Sequence, residues 1–480
     1  MFATSGHARK ACRGRRFGLI LGLLCVAPSW SLAAEGGAEG SAPLPATTAT
    51  PEVTAAPKII TRIEFSGNRV TQPRILLQEM VVKEGDIADP VQIERSRQSI
   101  MDLGLFKSVR VSQEPLGDGV LVRFLIKEKI YILPTPKLNR DDENKITPGF
   151  ELKIDNFAGL NQELSFKYET DKAESKTDGQ KINTYSASFN YPRVLGSPWV
   201  LGAEFSQTNS PAEYQVGSSF NLVPVPVTPP DPPDPIDSLY KKAARTAAVQ
   251  ASRWLNPLAQ SRGWQLGSGL VWRRNSYEYI DGQQTPVFQN TQATGVSLLG
   301  QYVNVRDYLF SRSGEEYGYR GEFGSRLLGS DADYTRHELF YRKFLLLDGR
   351  PHENIDLQAR LGLSNGDIFA EERSAYSLGG IRTLRGYASG SFTGDAFAVL
   401  NVQYLRPFFG YYPLRGVLFL DVGNAYQSVS SINLGRVQWD VGVGLRLRLK
   451  SFVKLDLRVD AAYSYETGKW KTTYGTKEIF

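Results

Sequence analysis

An alternation with a period of two residues runs through this chain from about residue 130 to its end, and it limits the folds that the chain can adopt. Between residues 437 and 449 the even positions are polar, charged or glycine and the odd positions are apolar: Val437, Trp439, Val441, Val443, Leu445, Leu447 and Leu449. Successive side chains of a β-strand point to opposite faces, so this segment has one apolar and one polar face. Many such segments of about ten residues, separated by turn residues, are typical of a transmembrane β-barrel.

Sixteen candidate strands can be placed in this region, which predicts a mainly β fold with a 16-stranded antiparallel transmembrane barrel over residues 130–480. The predicted spans are 130–140, 144–156, 161–171, 181–192, 198–209, 242–255, 263–279, 292–307, 315–328, 333–347, 354–365, 396–408, 415–427, 436–449, 452–467 and 472–480. If the first strand rises from the inner side of the membrane, the two longest loops, 209–241 and 366–395, fall on the outer side. Long outer loops and short inner turns are the rule for such barrels.

The N-terminus predicts a secretory signal peptide over residues 1–33. A basic start, an apolar run at 17–26 and small residues around 31–33 form the three parts of such a signal. Cleavage there removes both cysteines, Cys12 and Cys25, so disulfides and thiolate metal sites are not expected. It also lowers the net charge from +6 to +1, because five of the 56 basic residues and none of the 50 acidic ones are lost. No nucleic-acid partner is therefore expected.

The segment between the signal peptide and the barrel has two parts. Residues 34–57 contain no aromatic residue and are rich in Ala, Gly, Thr, Pro and Glu, which predicts a disordered tether. Residues 58–129 follow a βααββ pattern. Thr71 is expected to cap a short first helix, and Asp89 before a proline is a strong start for the second.

The βααββ pattern resembles a POTRA domain, the periplasmic repeat attached to barrel assembly and secretion proteins. The resemblance rests on two strings in the order and spacing of that domain, Ile63-Glu64-Phe65-Ser66-Gly67-Asn68 and Gly104-Leu105-Phe106-Lys107-Ser108-Val109. One copy is found. The domain prediction is therefore a single POTRA domain at 58–129, placed in the periplasm ahead of the barrel.

The predicted outer loop at 366–395 carries the string Gly379-Gly380-Ile381-Arg382-Thr383-Leu384-Arg385-Gly386-Tyr387. An arginine followed by glycine and an aromatic residue, behind a glycine pair, resembles the loop motif of the BamA/TamA superfamily of outer-membrane POTRA-plus-barrel proteins, the bacterial surface antigen family. The resemblance implies that the loop folds back into the barrel lumen and that its arginine pairs with an acid on the inner wall. Asp421 matches that acid, and its parity, opposite to that of Leu418 and Leu420, predicts that it faces the lumen.

A planar guanidinium can form two hydrogen bonds with one carboxylate, so a pair of Arg385 and Asp421 would fix the loop in position. Gly386 would let the backbone approach the wall, and Tyr387 would wedge into the lumen. The inner-wall position that usually holds a second acid in the family is Gln403 here, so the contact would be weaker or depend on Asp421 alone. The alternative is a generic lumenal salt bridge or an ordinary surface loop.

Three further expectations concern the C-terminal residue, catalysis and the lumenal acids. The terminal Phe480 resembles the aromatic signal by which outer-membrane barrels are recognised for insertion. No catalytic or metal-ligand motif is found, so no enzyme activity, cofactor or metal site is expected. Acids on the lumenal parity are interpreted as partners for basic residues nearby in sequence: Glu316, Glu322, Asp456 and Asp460 with Arg320, Arg326, Lys454 and Arg458.

The resemblance implies an outer-membrane protein assembly factor that inserts or translocates client proteins in a Gram-negative bacterium. The first predicted strand carries Pro134 and Pro136 and the last is short, which hints at a weak seam where the barrel could open. The expected partners are outer-membrane lipids and, through the POTRA domain, client polypeptides, periplasmic chaperones or lipoproteins. The alternative is a two-partner-type secretion pore that exports one polypeptide through the lumen, with the loop as a movable plug.

Overall fold

The structure is a computed structural model that describes residues 58–140, 146–172, 181–214, 238–256, 262–282, 288–366, 375–449, 451–452 and 456–475. The predicted signal peptide, the predicted tether and Phe480 lie outside these residues. None of the helices described is both long enough and apolar enough to cross a membrane.

The N-terminal domain, residues 58–129, has the predicted βααββ order. Its elements are β1 (Ile60–Ser66), α1 (Pro73–Glu79), α2 (Pro90–Asp102), β2 (Phe106–Leu116) and β3 (Gly119–Glu128). The sheet has the order β1-β3-β2, with β1 parallel and β2 antiparallel to β3. Both helices pack on one face of this sheet through a fully buried apolar core that includes Leu76, Ile93, Ile100, Phe106 and Phe124.

The second helix begins as predicted and the first does not. The Asp89 side chain accepts a hydrogen bond from the Val91 N–H at 2.9 Å, which satisfies one free donor of the first turn. The cap residue of α1 is Gln72, without a side-chain cap bond. The prediction for Thr71 was wrong because its hydroxyl donates instead to Glu128 Oε1, at 2.7 Å, and ties the start of α1 to the end of β3.

The remaining strands form one antiparallel sheet of sixteen, as predicted. They are β4 (Ile132–Arg140), β5 (Ile146–Phe157), β6 (Gln162–Lys172), β7 (Lys181–Pro192), β8 (Trp199–Tyr214), β9 (Ser238–Trp254), β10 (Gly263–Gly282), β11 (Thr291–Asp307), β12 (Arg312–Gly324), β13 (Tyr334–Leu346), β14 (Asn354–Asn365), β17 (Ala396–Phe408), β18 (Tyr411–Tyr426), β19 (Gln438–Arg448), β20 (Asp456–Ser464) and β21 (Lys469–Gly475). Between β14 and β17 lie two short strands, β15 (Tyr376–Leu378) and β16 (Phe392–Gly394).

Some predicted boundaries were wrong by a few residues. β8 and β9 both extend past their predicted ends into the loop predicted at 209–241, of which residues 215–237 lie outside the described part of the chain. β21 begins at Lys469 rather than at residue 472, and the described part of it ends at Gly475.

Alternate side chains of the barrel strands point outward and into the lumen, as predicted. On β19 the odd residues Val441, Val443 and Leu445 are exposed on the outer face, whereas Asp440 and Arg446 are buried in the lumen. An apolar outer face and an ionic interior are what a lipid-embedded barrel requires, because lipid cannot solvate charged groups.

The barrel closes where its first and last strands meet. The hydrogen-bonded order of the sheet runs without interruption from β21 to β4, and these two end strands approach each other. Among the described residues no ladder joins β4 to β21. Just before β4, the Ile130 N–H donates to the Ser451 carbonyl at 2.8 Å, in the turn that precedes β20. We call this junction the seam.

Candidate functional site: a loop held inside the barrel

The segment between β14 and β17 folds back into the barrel. Strands β15 and β16 pair with each other as an antiparallel ribbon. At its tip the Gly379 N–H donates to Thr383 Oγ1 at 2.8 Å, and the Thr383 hydroxyl donates back to the Gly379 carbonyl at 2.9 Å. Gly379 has a φ of 111°, and a Cβ there would collide with the Ala388 carbonyl. The loop therefore needs glycine at this position to keep its closed shape.

Arg385 of this loop contacts Asp421 of β18 inside the lumen. Its Nε donates to Asp421 Oδ2 at 2.6 Å and its Nη2 donates to Oδ1 at 2.8 Å, while its backbone N–H donates to Oδ2 at 3.3 Å. Both side chains are 0% exposed. The guanidinium also lies over the Phe419 ring, 3.4 Å from its centroid. A bidentate buried pair fixes both the position and the orientation of the loop. We call this contact the loop lock.

The residue that supports Asp421 is Asn401, which sequence reasoning missed. Asn401 Nδ2 donates to Asp421 Oδ1 at 2.7 Å and to the Thr383 carbonyl at 2.6 Å, so it binds the wall and the loop together. Gln403 lies two residues further along β17, and its Nε2 donates to Asp356 at 3.2 Å. No described hydrogen bond joins Gln403 to the loop. Asn401 is the residue directly opposite Asp421 in the sheet register, and only the register identifies it.

Gly386 and Tyr387 bring the loop close to β19. The Tyr387 hydroxyl donates to the Trp439 carbonyl at 3.1 Å, and its ring packs edge-on against Phe392. The Tyr387 carbonyl accepts a hydrogen bond from the Gly380 N–H at 3.0 Å. The tip of the loop is thus held by the wall on one side and by its own glycine turn on the other.

We expect Gly386→Ala to destabilise the closed loop by about 1–3 kcal/mol, the usual cost of overpacking a close contact. A Cβ on Gly386 would lie 2.7 Å from Asp440 Cβ and 3.2 Å from the Ser464 N–H nitrogen, so the backbone would have to move away from β19. Gly202→Ala is the matched control, since no atom lies within 4 Å of a Cβ there. Thermal unfolding of the two variants in the same detergent checks this; equal midpoints would contradict the close approach.

The loop also contacts the strands next to the seam. Arg458 of β20 donates from Nη2 to the Ile381 carbonyl at 3.1 Å, and Lys471 of β21 donates to the Tyr387 carbonyl. On the same inward face of β21, a Cβ on Gly475 would touch Ile381 Cδ1 at 3.1 Å. The loop therefore braces the last strands of the barrel, including the strand that forms one side of the seam.

The lumenal acids are paired, but mostly across strands. Glu316 pairs with Arg342, Glu322 with Arg273 and Asp456 with Arg448, and Asp460 has the predicted partner, Arg458, together with Arg446. The predicted partners of Glu316 and Glu322 were wrong because antiparallel pairing brings together residues that are distant in sequence. Lys454, the partner predicted for Asp456, lies outside the described residues.

The N-terminal domain is hydrogen-bonded to the end of the barrel that we call the near end. At the start of α1, the Gln72 N–H donates to the Gly159 carbonyl at 3.0 Å, and Gln72 Nε2 donates to the Ala158 carbonyl at 2.9 Å. Asn156 Nδ2 donates to Thr71 Oγ1 at 2.9 Å. These bonds join the domain to the turn between β5 and β6.

Two ion pairs continue this interface, which we call the domain–barrel joint. Glu79 at the end of α1 lies 2.5 Å from Arg193 in the turn between β7 and β8, with side-chain exposures of 2% and 6%. Asp102 at the end of α2 pairs with Arg262, just before β10. Burial raises the pKa of Glu79 to about 7, because the loss of hydration outweighs the attraction of Arg193. The joint thus contains a carboxyl group that titrates near neutral pH.

Comparison with protein families matches two parts of the chain. The Omp85 superfamily domain matches residues 156–474, and the POTRA family, described as surface antigen variable number repeat, matches residues 58–129. Among characterised proteins, the outer membrane protein assembly factor BamA of Nitratidesulfovibrio vulgaris is 32% identical over 88 residues, 17% of this chain and 11% of BamA. Outer envelope protein 80 of Arabidopsis thaliana chloroplasts is 21% identical over 381 residues, 75% of this chain and 47% of that protein. The chain therefore spans less than half the length of either relative.

Solved structures share the fold. A BamA from Haemophilus ducreyi lacking POTRA domains 1–3 has a TM-score of 0.50 at 16% identity, covering 87% of this chain and 83% of that one. CdiB from Acinetobacter baumannii has a TM-score of 0.56 at 15% identity, covering 87% and 73%. The domain match spans most of the barrel, including β18 to β20, which carry Asp421, Asp440 and Asp460. With a POTRA domain at residues 58–129 and a 16-stranded sheet in the described residues, this chain belongs to the Omp85 superfamily.

Proposed function

We propose that this protein is an assembly factor of the bacterial outer membrane, which inserts or translocates client polypeptides and performs no catalysis. The observation that carries the proposal is the seam, where β4 and β21 meet without a described ladder. A strand edge with unpaired N–H and C=O groups can pair with another strand. The family supports the same role, since the matched BamA relatives are named outer membrane protein assembly factors.

The sequence of β4 favours a weak seam. One edge of β4 pairs with β5. Pro134 and Pro136 lie in β4, two residues apart. Proline is tolerated in a strand where its nitrogen faces away from the ladder, so the two missing donors belong to the edge that faces β21. A seam that lacks two donors is held by fewer hydrogen bonds and opens at a lower cost.

In this proposal the loop lock keeps the other side of the seam in place. The loop contacts β18 through Asp421, β20 through Arg458 and β21 through Lys471. It would hold these strands as one unit while β4 separates from them. A client strand would then pair with the exposed edge of β4 or β21.

The remaining partners follow from the architecture. The apolar outer face would contact outer-membrane lipids, and the POTRA domain would lie in the periplasm at the near end of the barrel. There it would receive client polypeptides, chaperones or lipoproteins, by strand addition to the free edge of β2.

A lumenal secretion pore is the second candidate, and the position of the loop favours it. The loop lies inside the barrel, where a movable plug would also lie, and the lock would then be broken to open the lumen. Depletion of the protein followed by an inventory of the outer membrane separates the two. Loss of many barrel proteins supports the assembly factor, whereas loss of one exported polypeptide supports the pore.

Closing the seam covalently is expected to abolish client assembly. Ile130 and Phe452 form a bridge between the start of the barrel and the last near-end turn, so a cysteine pair at these positions can lock the seam at that end. The matched control is a cysteine pair at Leu418 and Val443, which face each other in the ladder of β18 and β19. Oxidation should lower the amounts of other outer-membrane barrels only in the seam variant, and a reductant should restore them. Unchanged amounts would contradict opening of the seam.

A further inference from the structure

Four polar side chains form one continuous row across β8, β9, β10 and β11. In the sheet register Gln207 lies opposite Arg245, Arg245 opposite Arg274, and Arg274 opposite Gln292. Neighbouring strands are about 4.8 Å apart, so the two arginines lie side by side. We call these four residues the arginine row.

The arginine row lies on the outer face of the barrel. On β10, Leu270 has the same parity as Arg274 and is 54% exposed; its partner Val249 on β9 has the parity of Arg245 and is also 54% exposed. The neighbouring residue Arg273 has the opposite parity and pairs in the lumen with Glu322. The row therefore faces the membrane side, directly beyond the apolar residues of these strands.

The height of the row places it at the far interface of the membrane. At the near end of β10, Trp264 packs against Tyr302 and Tyr317 in an outward aromatic group. Ten residues separate Trp264 from Arg274, and a strand tilted by about 40° rises about 25 Å over that length. An apolar band about 25 Å tall is what a barrel presents to lipid, and Trp272 is the last apolar residue of β10 below the row.

The charges in the row lack counter-ions from the described part of the chain. Arg245 donates from Nε to Gln207 Oε1 at 3.1 Å, which orients it, and no described carboxylate forms an ion pair with Arg245 or Arg274. Lumenal arginines such as Arg342, Arg385 and Arg446 each pair with an acid. Like charges directly opposite each other destabilise a sheet, so an anion bound between the two arginines would stabilise these strands, and the described residues supply none.

We propose that the arginine row binds the phosphate group of a phosphorylated glycolipid in the outer leaflet of the outer membrane. Two guanidinium groups on adjacent strands present parallel donors to the oxygens of one phosphate, the geometry for which arginine is suited. The acyl chains of the same lipid would lie on the exposed apolar residues below, beside Leu270 and Val249. This site depends on the membrane location of the barrel and not on its proposed role in assembly.

The test measures lipid binding to the full chain in neutral-detergent micelles by native mass spectrometry. The probes are diphosphorylated lipid A, its monophosphorylated form, a neutral glycolipid and inorganic phosphate. We expect Arg245→Ala or Arg274→Ala to weaken binding of diphosphorylated lipid A about fivefold each, and the double variant about thirtyfold. Arg253→Ala is the matched control, because Arg253 lies on the same face of β9 at the near end, beside Trp199.

Each outcome decides the proposal. Loss in the row variants with retention in Arg253→Ala, together with weakened binding in an R245K/R274K double variant that shows native unfolding, supports it, since lysine keeps the charge and lacks the paired donors of arginine. Equal loss in Arg253→Ala would show that the protein attracts anionic lipid without a defined site. Unchanged binding in the double alanine variant would overturn the proposal. Displacement of the lipid by inorganic phosphate at equal concentration would show that the row binds free phosphate and not a lipid.

Discussion

The Arg385→Ala variant is expected to lose about 3–5 kcal/mol of barrel stability, whereas Arg382→Ala should change it by less than about 0.5 kcal/mol. Removing the guanidinium leaves Asp421 buried without its counter-charge, and the donors that remain to that carboxylate, the Asn401 amide and the backbone N–H of residue 385, are neutral. Arg382 belongs to the same loop but its side chain is exposed, so its loss removes no buried contact. The two variants therefore separate the lock from the general effect of removing a positive charge.

Unfolding in urea, followed by tryptophan fluorescence in one detergent, measures both variants. The double variant Arg385→Ala with Asp421→Ala is the decisive addition, because it removes both buried charges. It should be more stable than the sum of the two single losses predicts, as members of a charge pair are strongly coupled. Additive losses, or equal midpoints for Arg385→Ala and Arg382→Ala, would mean that the loop is not held by this pair.

The alternation predicted the sixteen strands of the barrel sheet because the lipid requires an apolar outer face, and the predicted ends of the strands were wrong where the strands extend beyond the lipid. The outward residues of β8 are apolar up to Phe205, and then become Gln207 and Asn209 although the strand continues to Tyr214. Beyond the membrane the outer face no longer needs to be apolar, so the pattern stops before the ladder does. The error in the predicted loop therefore marks the membrane boundary, the level at which the arginine row lies.

The site was predictable in part. The loop motif and the parity of Asp421 led to the two partners of the lock, but not to Asn401, since Asn401 and Gln403 share the inward parity and only the register separates them. Lys471 was missed because the predicted last strand began one residue later. The domain–barrel joint left no signal in the sequence: Glu79 and Arg193 meet only after both parts of the chain have folded.

The two halves of the barrel are held by different means. The POTRA domain contacts the turns that follow β5 and β7 and the residue before β10, all in the first half. The loop contacts β18, β20 and β21, all in the last part. The seam lies between these two braced regions. Movement at the seam therefore requires the strands held by the POTRA domain to shift relative to the strands held by the loop. A substitution in the domain–barrel joint is for this reason expected to have a large effect, as a substitution in the loop lock is.

Arg193→Ala is expected to loosen the domain–barrel joint by about 3–5 kcal/mol at pH 8, because it leaves Glu79 buried without a counter-charge. The loss should be smaller at pH 5, where Glu79 takes up a proton and is neutral. Arg193 also has a left-handed backbone, with φ 61°, a conformation that costs energy for a residue with a side chain and persists only where the surroundings hold it. Arg62→Ala is the control, since Arg62 forms only an exposed pair with Glu64.

The pH dependence of the joint in the unaltered chain has a definite sign. Docking raises the pKa of Glu79 from about 4.5 to about 7. Burial is the largest cause and raises the pKa, the attraction of Arg193 lowers it, and the nearby negative charge of Asp102 adds the smallest increase. Asp102 is itself paired with Arg262. A raised carboxyl pKa means that the docked state binds the proton more tightly, so protonation of Glu79 stabilises the docking of the POTRA domain. This stabilisation is complete below pH 4.5 and is lost as the pH rises through 7. The change amounts to about 3 kcal/mol between pH 4.5 and pH 8.

The distance between two spin labels on the full chain measures how tightly the POTRA domain is docked. One label is placed at Asp118 in the POTRA domain and one at Tyr411 in a near-end turn, after Cys12 and Cys25 have been replaced. The distance distribution should broaden as the pH rises from 5 to 8. In Arg193→Ala it should broaden further at pH 8, and in Arg62→Ala it should match the unaltered chain. Glu79→Gln keeps a neutral group in place, so its distribution should not change with pH. A distribution in Arg193→Ala that equals that of the unaltered chain at both pH values would show that this ion pair does not hold the POTRA domain against the barrel.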